Sequence, residues 1–104
     1  MEFNTTGSSN VAVGNDALYS NTTADNNTAV GASALNQNTT GTQNTAVGTY
    51  ALLTITTAST NAAFGYSALK VNTASHNSAF GANSLMANTS VSYTHLTLPT
   101  ICSV

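Results

Sequence analysis

The sequence predicts an all-β fold, a parallel β-solenoid with about five coils of 16–17 residues. Three observations lead there. The string Asn27-Thr28-Ala29-Val30-Gly31, followed by Ala34-Leu35 and by Asn38-Thr39-Thr40-Gly41, returns along almost the whole chain. A fixed period carrying glycine and apolar residues in one phase marks an array in which each unit is buried mainly by its neighbours. Charged residues make up only 4% of the chain, against roughly a quarter in an ordinary globular protein. Stacking supplies the reason. If successive coils lie one strand spacing apart, about 4.8 Å, equivalent side chains form columns, and like charges in a column repel by roughly 1 kcal/mol even in water. Finally, each unit is built from Gly, Asn, Thr and Ser, modest or poor helix formers, which argues against a helical repeat.

Taken in order, residues 1–10 form a partial unit, and full units start near Asn10, Asn27, Asn44, Asn61 and Asn77. These opening asparagines form the first column of a structural ladder, where an amide can bond its equivalent above and below and tolerates left-handed turn geometry. The Ala-Val-Gly segment that follows reads as a strand. Alternate pointing puts Ala29 and Gly31 on one side, and Thr28 and Val30 on the other. Gly14, Gly31, Gly48, Gly65 and Gly81 end the strands and permit a positive-φ turn or close backbone approach. Val13, Val30, Val47, Phe64 and Phe80 form one apolar column, and Leu18, Leu35, Leu52, Leu69 and Leu85 another. Both are expected in the core. Ala34-Leu35-Asn36 is the expected second strand.

A second asparagine column holds Asn4, Asn21, Asn38, Asn72 and Asn88, with Ile55 interrupting it, so this ladder is expected to be helpful rather than obligatory. The repeat shortens by one residue between Asn72 and Asn77. Length variation belongs in surface loops, which marks Asn-Thr-Thr-Gly and its tail as the loop. Because Met1 shares the phase of Leu18 and Asn4-Thr5-Thr6-Gly7 matches a repeat loop, the chain reads as a fragment that begins inside a longer array.

After Ser90 the phase is lost. Val91-Ser92-Tyr93-Thr94-His95-Leu96-Thr97-Leu98-Pro99-Thr100 resembles the in-frame translation of a transposon-end sequencing adapter, and 91–104 is read as a non-native or disordered tail beyond the repeat domain 1–90. Cys102, the only cysteine, and His95 therefore enter no site.

The remaining residues offer little chemistry. His76 stands in the shortened loop without metal-binding partners, and Asp16 and Asp25 sit at a turn and a loop, not as an acid-base pair. No serine is accompanied by a histidine and carboxylate, no phosphate loop is present, and no aspartate recurs as calcium-binding repeats require. The expectation is a protein that is not an enzyme, with no catalytic, metal or cofactor residues. Asn4, Asn21, Asn26, Asn38 and Asn88 open formal glycosylation sequons, as composition alone makes common here. Tyr19, Tyr50 and Tyr66 read as edge packing. The formal net charge is −2 and Lys70 is the sole basic side chain, which argues against nucleic acid or an anionic membrane as partner.

The unit Asn-Thr-Ala-Val-Gly-x-x-Ala-Leu, over about 4–90, resembles the head repeat of YadA-like trimeric autotransporter adhesins. That resemblance implies a left-handed β-roll assembled as a homotrimer on a bacterial surface, attaching to host matrix protein or surface glycan. The coil here is longer than the family's, by the Asn-Thr-Thr-Gly-x-x loop, which sets a collagen ligand apart from the fold. The longer unit is also similar to repeats of phage-type tail fibres. The expected function is a structural and adhesive surface module of such an adhesin head or stalk, extracellular and without membrane contact in this segment. A tail-fibre or tail-spike shaft for host recognition is the alternative. A threonine-rich ice-binding solenoid is a third reading, motivated by the column Thr22, Thr39, Thr56, Thr73 and Thr89. Its weakness is that neighbouring threonines on one strand point to opposite sides.

Overall fold

A computed structural model describes residues 1–88 and the backbone of His95–Leu96. The fold is all-β, a solenoid in which parallel strands stack in about five turns, and among the described residues there is no helix. One strand per coil lines one side: β1 (Val11–Val13), β2 (Thr28–Val30), β3 (Thr45–Val47), β4 (Ala62–Phe64) and β6 (Ser78–Phe80). They join in a six-stranded parallel sheet, closed at one edge by β8 (His95–Leu96), where His95 lies against Ser78 and Leu96 against Ala79. The register is the repeat itself: Ala12, Ala29, Ala46, Ala63 and Ala79 are successive partners. A small second sheet pairs β5 (Val71–Asn72) with β7 (Ala87–Asn88). Apart from the β8 backbone, the 91–104 stretch and with it Cys102 lie outside the described residues.

Two expectations are corrected. Ala34-Leu35-Asn36 is not a strand. It forms interlocked turns, in which Ala34 N–H donates to the Gly31 carbonyl, Asn36 N–H to Ser33 and Asn38 N–H to Leu35. Ser33 (φ 58°) and Leu35 (φ 52°) both adopt left-handed backbone, so the chain reverses instead of winding into a helix. The leucine column repeats this conformation at every coil, from φ 47° at Leu85 to 52° at Leu35. A left-handed leucine costs roughly 1–2 kcal/mol, whereas burying its side chain returns about 1.5–3 kcal/mol. Burial wins, and Leu18, Leu35, Leu52 and Leu69 are completely enclosed. Strand pairing on this side appears only in the last coils, where Asn72 and Asn88 lie in strands rather than in a loop.

The second correction concerns the core. Valine and phenylalanine of the strands do not enter it. A three-residue strand points one side chain inward, and that residue is the alanine: Ala29, Ala46, Ala63 and Ala79 are fully buried. Leucines reaching across from the turns fill the narrow interior and leave room there for a methyl group only. Ala17, Ala34, Ala51 and Ala68 lie beside them in the core, together with Ile55 and Ala58.

The strand glycines are fixed by packing as well as by conformation. Gly31 has φ 131°, and a Cβ there would sit 2.7 Å from the carbonyl carbon of Gly48 in the next coil. The one-residue shortening between Asn72 and Asn77 leaves the Ala63–Ala79 and Val71–Ala87 registers intact on either side of it.

Candidate functional surface

The asparagines of the two columns are interior groups from Asn21 and Asn27 onward, and half-buried at Asn4 and Asn10 in the first coil. In the first column, Asn10 Oδ1 accepts the backbone N–H of Asn27 at 2.9 Å, Asn27 Oδ1 that of Asn44 at 2.9 Å, Asn44 Oδ1 that of Asn61 at 3.0 Å and Asn61 Oδ1 that of Asn77 at 3.0 Å. The amide nitrogens reach the facing loop: Asn27 Nδ2 donates to Gly41 and Asn44 Nδ2 to Ala58. Each side chain thus satisfies buried backbone groups that the irregular turns leave over. In the second column Asn4, Asn21, Asn38 and Asn72 donate to the carbonyls of Gly7, Ala24, Gly41 and Ala74. Asn88 Nδ2 donates to Asn72 Oδ1 at 2.9 Å.

One column escaped the sequence reading, that of Ser8, Asp25, Thr42, Ser59 and Ser75. Its side-chain oxygens accept the backbone N–H one coil back: Asp25 Oδ1 from Ser8, Ser59 Oγ from Thr42, Ser75 Oγ from Ser59. A carboxylate, a hydroxyl and another hydroxyl share one phase because each is an oxygen acceptor. That mixed composition hid the column from a search for identical residues.

Chemistry does not gather anywhere. Among the described residues no group of three or more His, Cys, Asp or Glu stands close enough to hold a metal, and no cavity opens. Asp16 accepts from its neighbour Asn15, and Asp25 is engaged with Ser8. His76 is exposed at φ 64°, its N–H bonded to the Ser59 carbonyl. Of the sequon asparagines, Asn21 and Asn38 are completely buried with their amide nitrogens bonded, which closes them to a glycan, while Asn26 is exposed.

What the molecule does display is a surface. The outer side of the sheet carries Val13, Val30, Val47, Phe64 and Phe80 in one continuous apolar row, exposed at its ends, Val13 at 57% and Phe80 at 37%, and half-buried at Val30, Val47 and Phe64. Phe64 and Phe80 stack face to face, centroids 4.9 Å apart and rings within 3° of parallel. Beside it runs a second outward row of Val11, Thr28, Thr45, Ala62 and Ser78. Neither row carries a charge.

An adjoining corner is polar and aromatic. Tyr50 and Tyr66 meet edge to face at 5.9 Å, with Lys70 Nζ 5.2 Å from the Tyr50 ring centroid, and Tyr66 is 53% exposed. Tyr19 packs edge-on against Phe3, and its phenol is pushed above its ordinary pKa, chiefly by the negative charge of Glu2. On the loop side, the hydroxyls of Thr22 and Thr39 donate to the carbonyls of Thr39 and Thr56, so this threonine row spends its protons within the stack.

The residues thus define a class, the parallel β-solenoid with an uncharged apolar outer face. No protein-family model matches this sequence, and searches of curated proteins and of solved structures return no match.

Proposed function

We propose that the chain is a structural and adhesive surface module, a repeat segment from the head or stalk of a trimeric autotransporter adhesin of the YadA-like kind. One observation carries the reading: the apolar row from Val13 to Phe80 is outward, continuous and uncharged. Exposed rows of this kind mark contact surfaces, and three such sheets packed around a common axis would cover them. The assembled homotrimer stands on the bacterial surface and presents the loops and the Tyr50–Tyr66 corner to host matrix protein or surface glycan. Tyrosine suits that role because it offers a rigid apolar face and a hydrogen-bonding tip.

Sedimentation of the chain is the direct test, with a trimer expected and a folded, monodisperse monomer overturning the reading. A phage tail-fibre shaft uses the same geometry, and the length of the coil favours keeping it as the second reading. Sequence flanking the array separates them: a membrane β-barrel anchor marks the adhesin, a self-cleaving chaperone domain the fibre. Ice binding is weakened because Thr22 and Thr39 donate their hydroxyl protons to carbonyls of the next coil, and absence of thermal hysteresis would end it.

A further inference from the structure

The second asparagine ladder is broken at one place, and the break leaves a mark. Asn21 Nδ2 donates to Asn4 Oδ1 at 2.8 Å, and Asn38 Nδ2 to Asn21 Oδ1 at 3.2 Å. The next rung is Ile55, which has no amide to offer. Asn38 Oδ1 is consequently the one buried side-chain polar atom among the described residues that lacks a hydrogen-bond partner. Asn38 is completely enclosed, and a buried acceptor without a donor carries a desolvation penalty.

The first ladder also changes one coil further on. Asn27 and Asn44 each reach forward to a loop carbonyl, of Gly41 and Ala58. Asn61 Nδ2 instead points back, to Asn44 Oδ1 at 3.1 Å and to the Ser59 carbonyl at 3.2 Å. That change ties the Asn44 and Asn61 coils together, so the missing rung at Ile55 is confined to the second column and to the junction before it, while the first column and the strand pairing continue through that junction.

We propose that the solenoid parts first at the junction between the Asn38 coil and the Ile55 coil, so that the stack consists of two cooperative units divided there. A repeat array is held together by nearest-neighbour interfaces, and it opens at the weakest one. An enclosed acceptor without a donor weakens its interface each moment the coils are closed and is relieved by water when they separate. Opening here exposes the Leu35 and Ala51 rows without unwinding either unit. The inference is independent of what the surface attaches to.

Native-state amide hydrogen exchange on the full chain tests it. Leu35, Gln37 and Thr39 donate across this junction, to Ala51, Leu53 and Thr56. Leu18, Ser20 and Thr22 donate across the preceding one, to Ala34, Asn36 and Thr39. The first set is expected to exchange about tenfold faster than the second. Fraying from the chain's start would produce the opposite order, so equal or slower exchange of Leu35, Gln37 and Thr39 overturns the proposal. Ile55→Asn, which returns a donor to Asn38 Oδ1, is expected to bring the two sets within about twofold. Ile55→Val should leave the difference in place. A folded Ile55→Asn protein that keeps the tenfold gap also overturns it, and if that variant does not fold, the exchange order of the unaltered chain decides alone.

Discussion

Ala46 and Val47 are adjacent in β3, both at positions that stay apolar in every coil, yet one is sealed in the core and the other faces outward. The comparison teaches that in so thin a solenoid burial is allotted by available width rather than by hydrophobicity. Leucines from the turn side occupy the interior, and the strand opposite can contribute only a methyl group. The larger valines and phenylalanines are displaced to the surface, where they form a continuous apolar row.

This contrast can be broken most severely from inside. Ala46→Leu forces a second large side chain between Ala29 and Ala63, and is expected to cost about 3 kcal/mol or more, read as a collapse of the denaturation midpoint by circular dichroism. Next in size is Asn44→Ala, which strips a partner from the Asn61 N–H and from the Ala58 carbonyl, both in the interior. A loss of roughly 2–3 kcal/mol is expected in the same measurement, since each orphaned group carries a desolvation penalty. Val47→Thr should change the intramolecular stability by less than about 0.5 kcal/mol, because the residue is only half-buried. Its companion Val47→Glu is expected to shift sedimentation toward the monomer with the fold retained, and an unchanged sedimentation profile would remove the outer row from the contact surface.

The smallest effect concerns the corner beside the sheet. Glu2 and Asp16 disfavour the phenolate of Tyr19, so its pKa in the folded chain stands above the reference of 10.0. A raised value means a contribution present below the unfolded pKa and lost as pH rises through the folded one. Glu2→Gln is expected to lower the Tyr19 titration toward 10.0 in an ultraviolet difference spectrum while leaving the stability near neutral pH unaltered.

Much of this is legible in the sequence. Equal spacing of Ala12, Ala29, Ala46 and Ala63 is the strand register, and the shortened step lies between the registered segments because packed strands do not tolerate a lost residue. The spacing of Asn10, Asn27, Asn44 and Asn61 likewise places one amide over another, as their contacts show. Leu35 was not legible as a turn residue, since leucine has no intrinsic taste for φ 52° and accepts it only because the side chain is enclosed. The Ser8, Asp25, Thr42, Ser59 and Ser75 column was obscured by its varied residue types, although every member carries a side-chain oxygen, and Asp25, Ser59 and Ser75 use theirs to accept a backbone N–H. Nor could a single orphaned oxygen be foreseen from Ile55, for the consequence falls on Asn38, a full coil away.

By itself, then, the sequence determined the period, and through it the stacking of like upon like that makes a solenoid, because repeated residues in one phase can only satisfy each other by lying in columns. Tertiary structure alone decided which columns turn inward. That choice depends on how much space the left-handed leucine turns leave across the coil, a distance no residue encodes locally.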